Sequence, residues 1–199
     1  IMPNRLKIQV DVADNKLING SVPNDIKLHA NWLTGAVVHN LPATIDVALS
    51  SSYTQFDKFK NYSFDDQTLR FEAQNISVFN DKLDDKGNAT IPLNLNLENS
   101  APGFLRASFN TKVYEEGGTF SVDRFSIDYS PYQNYVGVKL PEGESNSGIL
   151  YTGKDHMIDI ATCDFKGNAV SRGNIKFELY KLEWRWWWDQ YNDELANYA

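Results

Sequence analysis

The chain reads as all-β, with two antiparallel β-sandwich modules in tandem: the first complete over residues 1–131, the second incomplete over residues 132–199. Three observations carry this reading. Apolar residues recur at every second position in run after run, the period of a strand with one buried face. Clusters of turn-forming residues divide the runs at sandwich-like spacing. At Ser130-Pro131 the pattern stops and starts afresh, because proline has no N–H with which to continue a ladder.

In the first module, Leu6, Ile8, Val10 and Val12 alternate with Lys7, Gln9 and Asp11, which predicts a strand with one wet face. Asp14-Asn15-Lys16 and Ile18-Asn19-Gly20-Ser21 have the composition of turns. A second strand places Ile26, Leu28, Ala30 and Trp32 on one face and stops at Gly35; Leu41-Pro42 then introduces a third with Ile45, Val47 and Leu49 inward. Residues 50–66 are irregular but hold Tyr53, Phe56, Phe59, Tyr62 and Phe64. Five rings are costly to leave in water, so a packed loop is expected. Leu69, Phe71 and Ala73 alternate weakly, residues 81–88 read as a polar turn, and Ile91, Leu93, Leu95 and Leu97 predict the most regular strand. Pro92 lies on its outer parity, which suits an edge strand or a strand start. Ala107, Phe109, Thr111 and Val113 lead into the turn Glu115-Glu116-Gly117-Gly118, and Phe120 and Val122 resume on the return strand of a hairpin. The apolar parity then passes to Phe125, Ile127 and Tyr129, which predicts a bulge at Asp123 or Arg124. About seven strands result, enough for a sandwich.

Beyond Pro131, residues 135–140 predict a short strand and residues 141–148 a flexible loop. A further strand carries His156, Ile158 and Ile160 into a turn over residues 164–168. A long strand follows, with Ile175, Phe177 and Leu179 on one parity, then Leu182, Trp184, Trp186 and Trp188 on the other, and a bulge near Tyr180. About four strands are too few to close a second sandwich, so an unpaired edge is expected, with a route to dimerisation through it. The chain opens at Ile1 without a signal peptide and ends on Asn-Tyr-Ala without a terminator. Both ends suggest a piece of something longer.

Aromatic residues make up 13% of the chain, with 5 Trp, 10 Tyr and 11 Phe, which favours strands. A net charge of −7 with no basic patch argues against nucleic acid as a partner. Cys163 is the single cysteine and has no internal disulfide partner. No run reaches the length of a membrane span.

Candidate chemistry is thin. The acid-rich stretch 81–88 fails the calcium-loop template, having Leu83 where an Asp or Asn is needed and no bidentate Glu after it. His29, His39 and His156 fall on separate elements, so no metal site is predicted. There is no GxSxG elbow and no glycine-rich phosphate loop. Cys163 reads as a small apolar filler more readily than as a reactive thiol. No catalytic residue and no cofactor is assigned, and the chain is not read as an enzyme. The run from Glu183 to Asp189 invites a sugar-stacking platform on exposed rings, the reading of an adhesin or carbohydrate-binding module. Strand alternation instead puts Trp184, Trp186 and Trp188 on one side, with Trp187 beside Arg185 on the other. Three rings on one parity fit a core or an inter-domain contact better. Trp184, Trp186, Trp187, Trp188 and Arg185 are therefore the candidate interface residues.

Three stretches carry a family likeness. Asn31-Trp32-Leu33-Thr34-Gly35-Ala36 with Leu41-Pro42-Ala43, then Phe59-Lys60-Asn61-Tyr62-Ser63-Phe64-Asp65, resemble a macroglobulin domain of bacterial alpha-2-macroglobulin family proteins. Val136-Gly137-Val138-Lys139, the 164–168 turn, and the run from Leu179 to Trp188 resemble the start of the next such domain. The resemblance implies fibronectin- or immunoglobulin-like sandwich modules from a large protein of the periplasm or cell envelope, anchored as a lipoprotein, that inhibits endopeptidases by trapping them. Its partners would be neighbouring domains of the same protein and the target proteases. The family's chemistry lies in a bait segment and in a thioester formed from Cys-x-Glu-Gln. Here Cys163 is followed by Asp164-Phe165-Lys166, so the thioester motif is absent, and no bait segment is evident. The resemblance thus implies a scaffold.

Overall fold

A computed structural model of the chain describes residues 5–12, 16–19, 25–143, 149–179 and 181. Ten strands are found among them: β1 (Leu6–Val12), β2 (Lys16–Ile18), β3 (Asp25–Trp32), β4 (Pro42–Ser51), β5 (Gln74–Lys82), β6 (Asn88–Pro92), β7 (Leu105–Tyr114), β8 (Phe120–Ser130), β9 (Asn134–Lys139) and β10 (Asp159–Asp164). Two sheets face each other across one core. One has three strands in the order β1-β3-β6, the other five in the order β2-β8-β7-β4-β5. The all-β sandwich class is as expected.

Strict alternation makes the central strands. In β4 the residues Ile45, Val47 and Leu49 are fully buried, while Thr44, Asp46 and Ala48 point to the outer face. In β7 the buried set is Leu105, Ala107, Phe109, Thr111 and Val113. These pack against Ile26, Leu28 and Ala30 of β3 and Ile91 of β6 within one apolar cluster. Pro42 opens β4 and Gly35, at φ +88°, makes the turn after β3, so both punctuation marks act as their chemistry requires.

Several expectations need correction. The β7–β8 register runs unbroken from Leu105↔Tyr129 to Tyr114↔Phe120, so there is no bulge at Asp123 or Arg124 in this pairing. The inward parity of β8 is Ser121, Asp123, Phe125, Ile127 and Tyr129; Phe120 is outside, packed on Tyr114 at 5.6 Å. Ser121 can sit inward because its Oγ accepts the N–H groups of Arg5 and Leu6, both at 3.1 Å. The bulge that does occur is in β5, where Ile45 faces Phe79 but Asp46 faces Ser77. β5 itself starts after the weakly alternating residues 69–73, which carry no ladder. It is a half-buried edge strand, and its polar Asn75, Ser77 and Asn80 hide the period. Lys16–Ile18, read as turn chemistry, forms a short parallel pair with β8, with Leu17 and Ile18 buried. β6 lies earlier than expected and stops at Pro92; Leu93 and Leu95 remain buried in alternation without a ladder.

Beyond Pro131 the described residues contain the antiparallel pair β9–β10. Residues 156–158 fall short of the expected strand, and residues 171–179 form no strand, leaving Ile175, Phe177 and Leu179 exposed. The bulge near Tyr180 and the strand through residues 182–188 lie outside the described residues.

Candidate functional site

The candidate site is the junction where the β4–β5 loop of the sandwich meets the β9–β10 hairpin. The loop is pinned before it reaches its partner. Thr54 is fully buried; its N–H donates to the Asp65 carboxylate at 3.2 Å, and its Oγ1 accepts the Phe104 N–H at 2.6 Å. Ser52 N–H reaches Phe104 O at 3.0 Å and Asp66 N–H reaches Pro102 O at 2.8 Å. A 3₁₀ turn over Asp57–Phe59 then swings Phe56 inward.

Four rings meet there. Phe56 lies 4.8 Å from Phe64, 5.3 Å from Phe104 and 5.6 Å from Tyr135, all edge to face, and Phe104 lies 5.0 Å from Tyr135. Such pairs stabilise beyond their area alone, by about 0.5–1.5 kcal/mol each. With Cys163 they form a second apolar cluster, separate from the main core and shared between the sandwich and the β9–β10 hairpin. Of the five loop rings expected to pack, Tyr53 is the exception, exposed at 65%.

Polar contacts frame the rings. Ser63 and Val138 exchange both backbone hydrogen bonds at 2.9 Å, which lays the loop against β9. Lys16 stacks 4.1 Å above Phe104 and donates from Nζ to Phe165 O at 3.3 Å. Burial holds its pKa below the ordinary value, with the Asp128 carboxylate opposing. Lys58 Nζ donates to Asn168 Oδ1 at 3.1 Å. Tyr135 OH lies 2.6 Å from Ser130 Oγ, and burial raises its pKa.

The turn after β10 is built by Asp164, whose Oδ1 accepts the N–H groups of Lys166 at 2.9 Å and Asn168 at 2.8 Å. Asp84 does the same for Lys86 and Asn88 before β6, at 2.8 and 2.7 Å. The two turns share the sequence Asp-x-Lys-Gly-Asn. Both carboxyls are held below the usual carboxylate pKa range. For Asp84 the leading cause is the Asn88 N–H. For Asp164 partial desolvation opposes, and the Asn168 N–H and side chain outweigh it. The acid-rich stretch 81–88 is thus a turn, but not the tip of a hairpin: it carries the chain from β5 in the five-stranded sheet to β6 in the three-stranded one.

The junction has little capacity for chemistry. Cys163 is fully buried, and burial pushes its thiol up to about 11, so the sulfur is protonated and inaccessible at neutral pH. The histidines do not converge: His29 Nδ1 meets Asn88 Oδ1 at 2.8 Å, His39 donates to Asp85 O at 2.6 Å, and His156 to Tyr151 O at 2.9 Å. Among the described residues no three His, Cys, Asp or Glu side chains come together. Trp184, Arg185, Trp186, Trp187 and Trp188 lie outside the described residues. Sequence reasoning expected the loop to pack but did not identify its partner. The available signal was Gly137 and Gly167, two glycines at places where the β9–β10 hairpin approaches a ring-rich loop.

A sandwich of two sheets, with an aromatic loop that packs against a further antiparallel β pair, places the chain in the all-β sandwich class. The chain belongs to the bacterial alpha-2-macroglobulin MG5 domain family, whose model matches residues 4–128; that of bacterial macroglobulin domain 6 matches residues 137–199. It is 23% identical over 187 residues to an alpha-2-macroglobulin homolog of Yersinia pestis, covering 92% of this chain and 9% of that relative's length. In fold it resembles Escherichia coli alpha-2-macroglobulin activated by porcine elastase, at TM-score 0.59 and 18% identity over 84% of this chain and 15% of that one. The native conformation of the E. coli protein gives TM-score 0.58 and 16% identity, covering 84% and 11%. Salmonella alpha-2-macroglobulin reacted with methylamine gives TM-score 0.55 and 14% identity, covering 85% and 12%.

Proposed function

We propose that this chain is a structural part of a bacterial alpha-2-macroglobulin-like inhibitor that traps proteases, and that by itself it inhibits nothing. The observation that carries the reading is the shared aromatic cluster. It commits the β4–β5 loop of the first module to holding the next module in place, which supports a structural role. Cys163 lacks the Glu-Gln of a thioester motif, and its buried thiol is unsuited to covalent capture. The module division is 1–131 and 132–199, with the second module completed by sequence outside this chain. The parent protein acts in the periplasm or cell envelope as an anchored lipoprotein, with its other domains and its target proteases as partners. Trp184, Trp186, Trp187, Trp188 and Arg185 serve as a contact surface, and self-association through the open edge of the second module belongs to the same reading.

The test mixes the purified chain in excess with a trypsin-like protease and follows cleavage of a large protein substrate beside a small peptide substrate. The reading predicts unchanged rates for both. Protection of the large substrate alone is the signature of trapping and would refute it.

A further inference from the structure

A smooth contact between modules allows them to slide or swivel. Rings seated against glycines do not. Gly137 lies inside β9, outside the left-handed region, and a Cβ placed there would stand 2.5 Å from two carbons of the Phe64 ring. Glycine weakens a strand interior, so its presence at this position is explained by the ring and not by the strand. Gly167, at φ +80° in the turn after β10, is seated the same way: a Cβ would stand 2.9 Å from Phe56 Cδ1. These seats lie on different parts of the hairpin, so together they restrict both translation and rotation. Between them the paired hydrogen bonds of Ser63 and Val138 fix the register.

We propose that the two seats, Phe64 on Gly137 and Phe56 on Gly167, act as a two-point lock. It makes the junction open as a single unit with no hinge at residues 130–135, and it restricts the loop to a following module whose hairpin offers glycine at both places.

Amide hydrogen exchange followed by NMR on the 199-residue chain tests this. Ser63 and Val138 should exchange within about threefold of each other, as members of one opening unit do. Gly137→Ala, which ordinarily stabilises a strand, should speed exchange at both by about tenfold or more while leaving Phe109 in the main core unchanged. Gly117→Ala, where a Cβ meets open space, should change nothing. Adding Phe64→Leu to Gly137→Ala should recover part of the lost protection. Gly167→Ala should cost more than Gly118→Ala, which shares its positive φ (+79°) but has open space around it, so the difference isolates the ring contact. Val138 exchanging far faster than Ser63 in the unaltered chain, or Gly137→Ala leaving Ser63 unaffected, overturns the lock.

Discussion

Thr111 stands on the core-facing parity of β7, fully buried, and its Oγ1 has no hydrogen-bond partner. An unsatisfied buried hydroxyl carries a desolvation cost that valine, of the same shape, does not. Thr111→Val should therefore stabilise the chain by about 1 kcal/mol. The urea midpoint should rise with an unchanged slope, and a fall in midpoint contradicts the assignment. Cys163 makes the companion case. Its buried, protonated thiol should resist iodoacetamide in the folded chain and react readily in denaturant. Rapid alkylation under native conditions would mean that the second cluster is open. At this scale the sequence was partly legible. The small-filler reading of Cys163 rests on its residue type, and its parity opposite Ile158 and Ile160 turns out to be the buried one; Ser121 was hidden, because only the fold reveals that its hydroxyl serves the N–H groups of Arg5 and Leu6.

The elements most legible in sequence were those with one dry face and one wet one. β1, β3, β4 and β7 follow their alternation, and the hairpin joining β7 to β8 turns where its glycines stand. β5 and β2 were missed because an edge strand and a three-residue parallel pair bury too little apolar surface to leave a period. The aromatic loop was legible as packed but not as a docking element, since ring content says nothing about which partner the rings meet. Removing its centre should be costly. Phe56→Ala should destabilise by about 3–5 kcal/mol, as large-to-small changes of buried aromatics do. Near-ultraviolet circular dichroism would record the loss of the ring cluster, and an unchanged spectrum and melting curve would contradict its role.

The same packing sets an alkaline limit. Burial raises the pKa of Tyr129 to about 12 and that of Cys163 to about 11, from 10.0 and 9.0. Both groups are neutral when protonated and hold the proton more tightly when folded. Their contribution is therefore complete below pH 9 and is lost as pH rises through 11 and 12. Lys16, lowered by burial, acts in the opposite sense. The urea midpoint should fall between pH 8 and pH 11, and Cys163→Ala should flatten that fall; a midpoint that rises over this interval contradicts the account.

For the whole molecule, the sandwich places its two sheets around one core, and the β4–β5 loop extends the packing to a second, smaller cluster shared with the β9–β10 hairpin. The sequence break at Pro131 marks the start of a new run of strands. Packing nevertheless continues across it, because Tyr135 and Cys163 join Phe56, Phe64 and Phe104. The family likeness was legible in the Asn31–Ala36 and Phe59–Asp65 stretches, which bring the turn after β3 and the docking loop with them. The physical role of the second stretch became clear only when Ser63 was seen bonded to Val138.

The most direct measurement is a proton NMR spectrum of the chain with nuclear Overhauser contacts assigned at the two glycines. The account predicts contacts from the Phe64 ring to the Gly137 α-protons and from the Phe56 ring to those of Gly167, with the α-protons displaced from random-coil shifts by the ring currents. Random-coil shifts at both glycines, with no contact to either ring, would contradict it.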